Sequence, residues 1–140
     1  MLRTLVAIVV GVASAMLTIT LVEMVARPLH PMPQGLVMTD TAGMAAYVST
    51  APVAMMLMVL SGWVLGAFDG ALVAALIARR HPRPAAMVVG AVVVAAVIAN
   101  AVLLPHPVWM TVLGVLLPLV AAFGALMLAL RIKTRSPATA

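Results

Sequence analysis

The chain is 140 residues long, 66% hydrophobic and only 8% charged, with a mean hydropathy of +1.27, too little polar surface to coat a water-soluble globule of this size. It is therefore read as an integral membrane protein. A formal net charge of +5 would suggest nucleic acid as the partner of a soluble protein, but here the basic residues flank apolar runs and form no basic face, which excludes that class.

Four runs reach the roughly 20 apolar residues that a membrane-crossing helix needs: 5–26, 53–78, 85–104 and 108–130. None alternates apolar with polar residues as the strands of a transmembrane barrel do, so the expected fold is all-α, a four-helix transmembrane bundle in a single domain. The first run begins MLRTLVAIVVGVASA, and Ala13-Ser14-Ala15 resembles a signal-peptidase site. The apolar stretch continues to Ala26, well past the length of a signal core, so it is expected to stay as a span.

The first connection opens with PLHPMPQG, whose prolines favour extended backbone. It continues TDTAGMAAYVST, where Thr39 or Asp40 is placed to cap a short helix with Met44, Tyr47 and Val48 as its apolar face. That helix is expected on the membrane surface or as a lid on the bundle.

The second span contains SGWVLGAFDGALVAAL. Gly62, Gly66, Gly70 and Ala74 recur every four residues, a ladder of small side chains that lets a neighbouring helix backbone approach. At 100° per residue Asp69 falls about 20° from Gly62 around the axis, so the acid points into the same seam. Gly90, in the third span, lies outside that ladder and is expected to tolerate a larger side chain better. Counting about 1.5 Å per residue, Asp69 lies roughly 15 Å from Arg79, near the bilayer midplane. An intramembrane acid with no cation in any span is expected to keep its proton and donate a hydrogen bond. It serves either as helix glue or as a proton- or cation-coupled group.

The turn RRHPRP joins spans two and three, and PHP joins three and four, so these spans are expected to be sequential antiparallel neighbours. Each of the three histidines, His30, His81 and His106, precedes a proline, which drives it out of helical geometry and marks a helix end. With the amino terminus inside, seven of the eight basic residues fall on the cytoplasmic side and only Arg27 outside. The expected location is a bacterial inner membrane with both termini cytoplasmic.

By the same axial count, Glu23, Ser61, Asn100 and Thr111 stand at comparable height in the outer half, with His30 and His106 just above. These six form the candidate polar site; the competing reading has Glu23 pairing with Arg27, Asn100 as glue and the histidines simply ending helices. His30, His106 and Glu23 are ligand types suited to zinc, but their spacing is not diagnostic and no metal is assigned. Met55, Met56 and Met58 do not share one helix face, so copper is not assigned either. With no cysteine, thiolate chemistry and disulfides are excluded. No phosphate loop, nucleophile elbow or zinc-protease helix is present, and no cofactor or catalytic residue is assigned.

Two functions fit: a packing, oligomerising or accessory subunit of a membrane complex, or a small transporter of protons, cations or a small solute using Asp69 and the outer polar layer. An enzyme with its site at the outer face ranks third. The expected partners are the lipid bilayer and either further copies of the chain or other membrane subunits.

Overall fold

The computed structural model describes residues 1–104 and 106–135. Pro105 of the PHP turn, and residues 136–140 of the expected inner tail, lie outside the described residues. The described chain is helical, with α1 (Leu2–Ala26), α2 (Thr41–Ser49), α3 (Val53–Ile77), α4 (Pro82–Leu103) and α5 (Val108–Arg135). Four of these, all but α2, are long and apolar enough to cross a membrane, and the fold is a four-helix membrane bundle. In hydrocarbon every backbone N–H and C=O must be paired within the segment, which for a run without strand alternation leaves only the helix.

Proline sets most of the boundaries. Pro52, extended at φ −66° and ψ 146°, stands before α3, and Pro82 is the first residue of α4, where its missing N–H costs nothing. His30 (φ −153°) and His81 (φ −132°) both leave helical geometry before their prolines. Pro118 is the exception, buried in the middle of α5, where its ring removes the bond to the Gly114 carbonyl. The bare Gly114 backbone faces the Trp63 ring of α3 so closely that a Cβ there would sit 2.7 Å from Cζ3.

α3 is the central helix. Half of its most apolar window is buried, 50% against 17% for α1, and it packs against α1, α4 and α5. α4 likewise touches α1, α3 and α5, so α1 and α5 flank an inner α3–α4 pair. The expected antiparallel contacts of α3 with α4 and α4 with α5 are present.

The core changes character along the bundle. Toward the Arg3 end it is built of alanine, with Ala7, Ala74, Ala78 and Ala85 in one cluster and Ala71, Ala75, Ala125 and Ala129 in another. Toward the other end Met56, Leu60, Trp63, Val97 and Met110 fill the interior. Alanine lets helices approach closely; the larger residues hold them apart. Leucines and valines such as Leu5, Val9, Leu17 and Leu21 on α1 stay exposed, as a lipid-facing surface requires.

α2 is capped by Asp40, whose Oδ1 accepts from Gly43 N at 3.0 Å, and it buries Met44 and Val48 one turn apart.

Candidate intramembrane site

The seam between α1 and α3 is formed by backbone contact. A Cβ on Gly11 would lie 2.6 Å from the Gly70 carbonyl oxygen, and one on Gly70 would lie 2.5 Å from that of Gly11. One turn along, a Cβ on Gly66 would meet Ile19 Cγ1 at 2.6 Å and the Ala15 carbonyl at 2.9 Å. Gly62 faces Val22 less tightly, at 3.2 Å, and Ala74 lies against Gly11. The ladder Gly62, Gly66, Gly70 and Ala74 therefore runs along α1 for its whole length.

Asp69 enters this seam. Its Oδ2 accepts a hydrogen bond from Ser14 Oγ at 2.6 Å and a second from Thr18 Oγ1 at 3.0 Å, both on α1. Ser14 and Thr18 are four residues apart and so stand one above the other on the helix face that also carries Gly11 and Ala15. In both contacts the hydroxyls are the donors and Oδ2 the acceptor, whereas the sequence alone leads to the expectation of a donating acid. Both bonds go to one oxygen, which leaves Oδ1 outside the pair.

The six outer residues do not converge on one site. Glu23 and Asn100 share a groove of about 190 Å³ between α1 and α4, with Trp63 and Val97 among its lining residues. Ser61 belongs to another surface, beside Leu57 and Leu117 on the α3–α5 side, and its Oγ donates to the Met58 carbonyl at 2.6 Å. Thr111 is half-buried on α5, which packs on α3 and α4. His30 stacks on Tyr47 with ring centroids 4.3 Å apart, its Nε2 3.0 Å from the Tyr47 carbonyl, while Tyr47 Oη donates to the His30 carbonyl. These contacts fasten α2 to the end of α1. His106 bonds through Nδ1 to the Leu104 carbonyl at 2.8 Å and stands edge-on to Trp63, centroids 5.9 Å apart. Among the described residues, no three His, Cys, Asp or Glu side chains gather as a metal group.

Gly90, expected to tolerate a larger side chain better than Gly66, meets one close atom where Gly66 meets three. It lies in a second tight contact, where a Cβ would come 2.8 Å from that of Ala122 on α5. Its place outside the Gly62 ladder does not make it spacious.

Sequence reasoning missed Ser14 and Thr18 as the partners of Asp69; the signal was present as two hydroxyls at helical spacing beside Gly11 and Ala15. It also missed a cationic cap on α3. Arg3 Nε donates to the Ile77 carbonyl at 3.0 Å, and Lys133 Nζ donates to the carbonyls of Ala75 and Ala78 at 2.7 and 2.9 Å. The last carbonyls of a helix lack intrahelical partners and carry its negative dipole end, so cations from α1 and α5 satisfy them doubly.

No family model, no curated protein and no solved structure matches the chain.

Proposed function

We propose that this small integral membrane protein is a packing or accessory subunit, assembling with copies of itself or with other membrane subunits. In this reading it resides in a bacterial inner membrane with both termini in the cytoplasm. The observation that supports a packing over a transport role is the engagement of Asp69, the one acid near the middle of the bundle. Both of its bonds go to hydroxyls of the neighbouring helix, at the point where two glycine backbones touch. An acid placed in this way joins helices; at about a kcal/mol per interhelical hydrogen bond, it supports the seam without needing to ionise or move.

The test is native mass spectrometry after extraction in mild detergent. The proposal expects a defined homo-oligomer or a stoichiometric membrane partner, whereas a bare monomer at every detergent concentration would count against it.

A second reading has one specific observation in its favour. Asp69 Oδ2, Ser14 Oγ and Thr18 Oγ1 bring three oxygens together inside the membrane, and oxygen ligands suit hard cations. In that reading the chain is a small transporter, with Glu23 and Asn100 as its outer polar station. Flux measurement separates the two.

A further inference from the structure

At the Arg3 end of the bundle the start of α1 and the α3–α4 turn enclose a cleft of about 500 Å³, lined by Met1, Arg3, Thr4, Arg79, Arg80 and His81. Arg80 and His81 also line the adjoining cleft with Arg83. We propose that the first cleft is a binding site for the phosphate headgroup of an anionic diacyl phospholipid in the adjacent leaflet.

Charge is the first argument. The chain has three acidic side chains in all, Glu23, Asp40 and Asp69. Glu23 and Asp40 belong to the opposite end, and Asp69 is bonded to Ser14 and Thr18 inside the seam. The cluster of cations around the cleft thus has no side-chain carboxylate of its own to neutralise it.

Preorganisation is the second. Arg3 is held by its Nε–H on the Ile77 carbonyl, which leaves the two Nη groups of the guanidinium for a ligand. Arginine's planar fork matches two phosphate oxygens at once, and Arg79 and Arg80 bring two more forks from the turn. Lys133 does not line this cleft; its ammonium is taken up by the Ala75 and Ala78 carbonyls.

Position is the third. The cleft lies where the apolar run of α1 begins, at the level where the headgroups of the adjacent leaflet stand. A phosphate seated among the arginines at this level can keep its acyl chains in the hydrocarbon beside the bundle, which free phosphate has no means to exploit. Basic pockets at the ends of transmembrane helices recognise lipid headgroups in this way, and the volume is within the range that holds a small organic group.

The experiment is lipid titration of the full chain in detergent, followed by native mass spectrometry. The probes are phosphatidylglycerol, phosphatidylcholine with the same acyl chains, and inorganic phosphate. Arg79 and Arg80 are exposed turn residues outside the α3 cap, so Arg79→Gln/Arg80→Gln is expected to melt as the wild type does. The wild type should retain phosphatidylglycerol about tenfold or more over phosphatidylcholine, and the double variant should bind it roughly thirtyfold more weakly, the loss of two cationic contacts. Arg135→Gln removes a charge from the same end but not from the cleft, and should change binding by less than about twofold. The proposal is overturned by equal retention of the two lipids, by an Arg135→Gln loss as large as that of the double variant, or by inorganic phosphate displacing the lipid at equal concentration.

Discussion

On the proposed reading Asp69 acts through geometry rather than charge. Its two hydrogen bonds cross from α3 to α1 and end on one carboxyl oxygen, so an asparagine side chain can offer its amide oxygen to the same hydroxyls. Asp69→Asn is accordingly expected to lose less than about 1 kcal/mol of stability in detergent, and Asp69→Ala about 1–3 kcal/mol. Ser14→Ala and Thr18→Ala together should cost far less in an Asp69→Ala background than in the wild type, because the partner is already gone. Unfolding curves for the full mutant cycle check this; additive losses would remove the acid from the seam. The direction of Asp69 was legible from the glycine ladder beside it. Its partners were not, because a serine or threonine in a helix bonds by default to its own preceding turn, and only the facing of α1 tells Ser14 and Thr18 apart from such a residue.

Between helices, backbone proximity decides which substitutions are tolerated. Gly66→Leu would drive a side chain into Ile19 and the Ala15 carbonyl and should destabilise the protein by about 1–3 kcal/mol or more. Gly124 on α5 has open space around it, so Gly124→Leu should fall within about 0.5 kcal/mol of the wild type. Comparable melting temperatures for the two variants would contradict the seam. The carbonyl end of α3 gives a second test. Lys133→Met removes two donors from the Ala75 and Ala78 carbonyls and should cost about 1–2 kcal/mol, read as a lower melting temperature. Element boundaries were mostly legible, since prolines and hydropathy mark them. α5 runs on to Arg135, past the expected end at residue 130, because basic residues continue a helix readily once it leaves the hydrocarbon. The tight contact of Gly90 with Ala122 was illegible, as it depends on how α4 and α5 are rotated and no ladder announces it.

The core of the whole molecule changes from alanine at the basic end to Trp63, Met110 and Leu60 at the other, and the groove holding Glu23 and Asn100 lies in the second half. Span number and class were legible because hydrocarbon admits so few structures. The proposed polar layer was not, because axial height follows from residue count while facing does not: Ser61 and Glu23 share a height and occupy different surfaces. On the proposed orientation, set by the basic residues, reporter fusions at Gln34 and Arg83 should give signals from opposite compartments, and the same signal at both would contradict the topology. The central claim, that Asp69 serves packing rather than permeation, is tested most directly by proton and monovalent-cation flux in proteoliposomes of the wild type and Asp69→Asn. The account predicts flux no greater than that of protein-free vesicles for both. Wild-type flux abolished by asparagine in a variant that melts normally would contradict it, since an amide keeps the hydrogen bonds but cannot ionise.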